Sequence, residues 1–173
     1  MNETIQNILA RRSTKNFKND MLPDDIIEAI LEAGKSAPSG RGRQSPIIIA
    51  VTNKNLRDRL SKMNAKIMGA DFDPFYGAPV VLVVLANREI PTYLYDGSLV
   101  MENLMLAASS LGVGSCWIHR AKEEFDGDEG KQILKELGIE GDYEGIGHCV
   151  LGYASSSPSE RKPAKENYVY YAK

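Results

Sequence analysis

Cysteine and histidine are scarce in this chain. Cys116 and Cys149 are the only cysteines, and His119 and His148 the only histidines. There is no C-x-x-C pair and no cysteine at zinc spacing from a histidine, so the sequence offers neither a structural zinc site nor a disulfide framework, and no metal is expected. Both cysteines lie in apolar surroundings, Ser115-Cys116-Trp117-Ile118 and His148-Cys149-Val150-Leu151. They read as reduced core residues of a cytoplasmic protein. Neither a G-x-S-x-G elbow nor an H-E-x-x-H helix occurs. The carboxylates are scattered over helix faces, and no apolar context singles out a pair for acid–base work. Charge of one sign is not in excess either: 21 Lys and Arg stand against 23 Asp and Glu. No concentrated basic surface is expected, and hence no nucleic-acid or membrane partner. No apolar run approaches the roughly 20 residues of a membrane-spanning helix. The longest, Ala78 to Ala86, suits a buried strand. The opening Met1-Asn2-Glu3-Thr4 lacks a basic region followed by an apolar run and does not read as a signal peptide. If the chain is an enzyme, these absences point to a cofactor as the carrier of the chemistry.

What is present is enough for one domain with a sizeable core: 173 residues, 43% of them hydrophobic and 25% charged. Apolar spacing predicts a helix from Thr4 to Ala10, with Ile5, Ile8 and Leu9 on one face. A second helix begins near Pro23, with Asp24 and Asp25 at its positive end, and stops at Gly34. A loop from Ala37 to Pro46 leads to a strand from Ile47 to Val51. A helix from Leu56 to Met68, a loop from Asp71 to Gly77 and a strand from Val80 to Leu85 follow. The pattern is helical from Tyr95 to Leu111, a strand from Val113 to Ile118, helical from Lys131 to Leu137, and a strand again from Ile146 to Tyr153. The irregular alternation favours an α+β fold with a mixed, partly antiparallel central sheet flanked by helices on both faces. Residues 1–154 form the single domain. The tail, 155–173, is polar yet ends in Tyr168, Val169, Tyr170 and Tyr171. It is either frayed or docked on another subunit.

Three segments could carry chemistry. In Arg11-Arg12-Ser13-Thr14-Lys15, three cations and two hydroxyls follow an amphipathic helix. They suit a phosphate monoester, through guanidinium pairing and hydroxyl donors. They equally suit a cationic cap on a helix C-terminus. In Pro38-Ser39-Gly40-Arg41-Gly42-Arg43-Gln44, small residues would let a flat ligand approach the backbone, and Gln44 can donate and accept. The other reading is a solvated surface turn. In Gly112-Val113-Gly114-Ser115-Cys116-Trp117-Ile118-His119-Arg120, two glycines precede a strand, without the third glycine or the strand–turn–helix order of a dinucleotide fingerprint. Trp117 could lie against a ring or simply fill the core.

Taken together these segments resemble the nitroreductase family of FMN-dependent oxidoreductases. Arg11-Arg12-Ser13-Thr14-Lys15-Asn16-Phe17 is similar to the family's opening R-R-S-x-R/K-x-F, and Ala37-Pro38-Ser39 with Gln44 to its A-P-S-x-x-N-x-Q-P-W. Gly77-Ala78-Pro79, Asp96 with Asn103-Leu104 and Ala107-Ala108, Gly112 to Ile118, Gly152-Tyr153 and Arg161-Lys162 continue the pattern in order. The resemblance implies an intertwined homodimer with FMN at the interface and NADH or NADPH as reductant. The oxidant would be a small nitro compound, quinone or similar. By position, Arg11, Arg12 and Ser13 would hold the FMN phosphate, joined by Arg161 or Lys162. Lys15 would sit near the pyrimidine edge of the flavin, and Pro38, Ser39 and Gly40 would reach in from the partner. Trp117, Ile118, His119 and Arg120 would run beside the ring, with a backbone N–H near His119 or Arg120 facing N5. Gly42 stands where the family has asparagine, and Ser45-Pro46 replaces Pro-Trp, which leaves Gln44 as the expected polar contact and implies a wider pocket. Flavin N5 itself would take the hydride, so no side chain is expected to be catalytic in its own right. A flavin carrier or sensor without turnover, or another reaction on this fold such as dehalogenation or flavin breakdown, remains as an alternative.

Overall fold

The computed structural model describes residues 1–173. Its elements run α1 (Glu3–Ala10), α2 (Asp24–Lys35), β1 (Pro46–Val51), α3 (Lys54–Met68), β2 (Val80–Asn87), α4 (Tyr93–Ser110), β3 (Gly114–Ile118), α5 (Ala121–Asp126), α6 (Asp128–Glu136) and β4 (Tyr143–Gly152). A single 3-10 turn, Gly40–Gly42, interrupts the loop before β1.

The four strands form one sheet in the order β1-β2-β4-β3. All three ladders are antiparallel. The α+β reading holds, but the parallel component expected of a mixed sheet shrinks to an isolated bridge between Ser13 and Ser115. The central strand β2 is an unbroken apolar run because both its faces are covered. Val81, Val83 and Leu85 point into one layer, with Leu60 and Met63 of α3, Phe125 of α5 and Ile133 of α6. Val80, Leu82, Val84 and Ala86 point into the other, with Ile27 and Ile30 of α2 and Met101, Leu104 and Ala108 of α4. The period of two sorts one strand into two cores.

Local signals set most boundaries. Asn53 caps α3, its side chain accepting from the Leu56 N–H at 3.1 Å, and Gly69 ends the helix in the left-handed conformation (φ 71°). Gly34 brings α2 close to α4: a Cβ there would lie 2.5 Å from Leu104. Two expectations are corrected. Helix begins again at Ala121, ten residues before the expected Lys131, because Ala121, Glu124 and Phe125 are buried one turn apart and Gly127 merely separates α5 from α6. The last strand begins at Tyr143, not Ile146; a bulge opposite Val84 and Leu85 breaks the alternation that would have revealed it.

The helix α1 buries none of its eight residues; Ile5, Ile8 and Leu9 remain 43%, 45% and 37% exposed. It is tied to α4 by Asn7, whose Nδ2 donates to the Leu106 carbonyl at 2.9 Å. An isolated helix this short is marginal in water, and its apolar face is only partly covered within the chain. The tail from Ser155 forms no helix or strand, and Tyr168, Tyr170 and Tyr171 are exposed. No helix is long and apolar enough to cross a membrane.

Candidate functional site

The site is organised along the open edge of β3. At one end the segment after α1 lies against the strand: the Thr14 N–H donates to the Ser115 carbonyl at 2.8 Å. Gly114 permits this approach, since a Cβ there would stand 2.6 Å from Thr14 Oγ1. The second glycine of Gly112-Val113-Gly114 therefore serves the basic segment by leaving it room. The Lys18 N–H donates to the Tyr153 carbonyl and the Ser155 N–H to the Asn16 carbonyl, at 2.8 and 3.0 Å, which fastens the start of the tail to the same segment. Between them, Ser13, Lys15, Asn16, Ser156 and Ser159 line a hollow of about 380 Å³.

The two arginines divide between the two readings open at sequence level. Arg12 folds back on α1, its Nη1 donating to the carbonyls of Leu9 and Arg11 at 2.8 and 2.6 Å, and caps the helix. Arg11 does not: its Nη1 is buried and has no hydrogen-bond partner. A buried guanidinium N–H without an acceptor is costly, and an anion is its natural complement. The charge is felt nearby. Burial pushes the Cys116 thiol up, while Ser13, Lys15 and Arg11 pull against it. Both cysteines are buried and unpaired, as expected.

At the other end of the edge, β3 runs out into His119 and Arg120. Ser115 to His119 spans four residues, roughly 14 Å of extended strand. His119 is exposed. Neither its N–H nor that of Arg120 donates to any acceptor in the chain. Trp117, in contrast, is packed in the layer with α4, its indole above Gly147, where a Cβ would meet Nε1 at 2.4 Å.

The loop with Pro38, Ser39, Gly40 and Gln44 lies before β1, at the opposite edge of the sheet. One chain does not bring it to the basic segment. Ser39 Oγ accepts from the Gln44 N–H at 3.0 Å, and Arg41, Gly42 and Gln44 all have positive φ (55°, 65° and 50°). The loop borders a cavity of about 560 Å³ with Leu31, Ile48 and Val100. Gly42 has nothing within 4 Å of where a side chain would begin. A buried carboxylate holds the loop. Asp96 accepts from the Gly40 N–H, Ser45 Oγ and Thr92 Oγ1 at 2.9, 2.7 and 3.0 Å. Arg161 and Lys162 are exposed on the tail and form no ion pair. Sequence reasoning noted Asp96 only as part of a pattern, and it overlooked the buried set of Asn64, Glu124 and His148 beneath Arg120. The carboxylates do not all lack an apolar context: Asp96, Glu124 and Glu144 are buried.

The family model described as the nitroreductase family matches residues 8–71 and 67–153. The chain belongs to the nitroreductase family. Among solved nitroreductases, one from Bacteroides fragilis with bound FMN superimposes with a TM-score of 0.91 at 28% identity, covering all of both chains. Another with bound FMN, from Desulfitobacterium hafniense, has a TM-score of 0.88 at 30% identity over 99% of this chain and all of its own. An Archaeoglobus fulgidus protein described as an NADH dehydrogenase/NAD(P)H nitroreductase is 32% identical over 142 residues, 79% of this chain and 76% of its own. As a nitroreductase, the chain is an oxidoreductase whose scaffold places the basic segment and the free N–H groups along one strand edge.

Proposed function

We propose that this nitroreductase binds FMN along the β3 edge and passes reducing equivalents from NADH or NADPH to a small oxidant such as a nitro compound or quinone. The observation that carries the reading is the buried, unpartnered Arg11 Nη1, two residues along the chain from Ser13, which lines the hollow. These residues fit a phosphate. When bound, FMN supplies a two-electron relay between nicotinamide and oxidant, chemistry for which the chain has no side-chain equivalent. Arg11 and Ser13 hold the phosphate. Lys15 supplies positive charge near the ring, and the His119 and Arg120 N–H groups are free donors for its edge. The turnover would be ping-pong, with reductant and oxidant taken in turn at one site.

Initial rates with both substrates varied should give parallel double-reciprocal lines. His119→Ala should keep activity within about tenfold, because the donor there is main chain, whereas a general acid typically accounts for 10²–10⁴. Lys15→Ala should lower activity more than His119→Ala does. Intersecting lines, or a thousandfold loss in His119→Ala with FMN retained, would overturn the mechanism.

The site is completed by a second copy of the chain. Two features support this: the loop at Pro38–Gln44 is separated from Arg11 by the width of the sheet, and the apolar face of α1 is only partly covered. Sedimentation at micromolar concentration should give a dimer, with a total interface above roughly 2,000 Å². Truncation after Pro163 should loosen both the dimer and FMN binding. A monomer that still holds FMN would defeat this assembly.

A further inference from the structure

We propose that Asn64, backed by Glu124 and His148, is a positioning residue that pins the His119–Arg120 peptide and so fixes the Arg120 N–H as a donor toward the cofactor; this rests on the FMN reading above. Asn64 is on α3, Glu124 on α5 and His148 on β4, and all three are almost wholly buried, at 0%, 2% and 0% exposure. The Asn64 Nδ2 donates to the His119 carbonyl at 2.8 Å and also to Glu124 Oε1. Its Oδ1 accepts from Arg120 Nε at 2.9 Å. Three partners therefore agree on one orientation of the amide. Flipping it would set an oxygen against two acceptors and an NH₂ against a guanidinium.

Glu124 is held in turn by His148, whose Nε2 lies 3.0 Å from Oε1, while the Phe75 ring packs on the imidazole with centroids 5.1 Å apart. Glu124 Oε2 and His148 Nδ1 have no partner. A buried polar set with unspent capacity is expensive for the fold. What it secures is the turn above it. Arg120 has φ 78°, a left-handed conformation that a non-glycine residue keeps only where its surroundings impose it.

The His119 carbonyl and the Arg120 N–H belong to one planar peptide and point in opposite directions. Anchoring the carbonyl to α3 aims the N–H away from that layer, and it meets no acceptor in the chain. A donor held without reorganisation stabilises developing negative charge more than a mobile one does.

The test is Asn64→Ala in the full-length protein, with Asn64→Leu, which keeps the volume and lacks the donors, should alanine not fold. In the FMN-free protein, the φ-sensitive amide coupling and chemical shift of Arg120 should change. In the FMN-loaded protein, the preference for reduced over oxidised FMN should fall about tenfold, read as a midpoint potential roughly 30 mV more negative. Oxidised FMN should bind within about threefold of the parent. A purely structural role would weaken both redox states equally and leave the potential in place, and that result overturns the proposal. So does an unchanged Arg120 amide in a folded variant. If the parent chain binds no FMN, the functional reading fails, while the amide measurement still decides whether Asn64 holds the turn.

Discussion

Arg11→Ala should weaken FMN binding by roughly 10–100-fold, measured by quenching of flavin fluorescence on titration into FMN-free protein. The figure follows from one charge-assisted hydrogen bond, about 1.5–3 kcal/mol, with a factor of ten for every 1.4 kcal/mol. Arg11 is singled out because its Nη1 is buried and unpartnered, while Arg12 donates to the Leu9 and Arg11 carbonyls. Arg12→Ala should therefore fray α1 and affect FMN less. Riboflavin, which lacks the phosphate, is the internal control: the parent should prefer FMN strongly, and Arg11→Ala should lose most of that preference. Equal FMN affinity in parent and Arg11→Ala would remove Arg11 from the phosphate site.

Asp96→Ala should lower stability by about 3 kcal/mol, since it leaves the Gly40 N–H, Ser45 Oγ and Thr92 Oγ1 without their shared acceptor in a buried setting. In a chain of this size that is roughly 6–12 °C in Tm. Asp96→Asn, which keeps the shape but turns an NH₂ toward donors, isolates the charge. Burial alone would raise the Asp96 carboxyl, but the hydrogen bonds from Ser45, Gly40 and Thr92 outweigh it and hold it below the usual carboxylate range. A folded value below the unfolded one means that the folded state favours the ionised form. The stabilisation is complete above about pH 4, where the unfolded carboxyl ionises, and is lost as pH falls through the lower folded value. The Tm gap between parent and Asp96→Asn should thus be constant at neutral pH and close in acid. A gap that persists unchanged in acid would assign the effect to packing. Because Asp96 grips Gly40, the alanine variant should also loosen the loop from Pro38 to Gln44.

Much of the fold was legible because burial leaves periodic marks. Ala78 to Ala86 reads as a buried strand from its unbroken apolar run, and β2 is covered on both faces. Gly112, left-handed at φ 71°, marks the end of α4, because a chain leaving a helix favours such a residue, whereas Gly34 lies just inside the end of α2 and leaves room for Leu104 instead. The misses have equally local causes. The helix α5 is six residues long, too short for its spacing to stand out, and one of its buried positions is Glu124, which no hydrophobicity pattern would place inside. The bulge in β4 hides the strand's first three residues in the same way.

For the site, the residues proposed to face a ligand were nameable, whereas those that hold them were not. Arg11 and Ser13 stand in a cluster of cations and hydroxyls whose chemistry is evident in one dimension, and the order of motifs along the chain carries the family. That Arg11 rather than Arg12 is left without an acceptor depends on how α1 ends against β3. That Asp96 fastens Gly40 across 56 positions, and that Asn64 reaches the His119 carbonyl across 55, depends on which elements the sheet brings side by side. Composition and periodicity are properties of neighbours in sequence, so they determine elements, two-sided burial and the kind of chemistry available. Hydrogen bonds between distant residues exist only once two apolar layers have closed on the sheet and excluded water. The tertiary structure alone therefore decided which polar groups are satisfied, which are held in reserve, and which N–H groups remain free at the edge of β3.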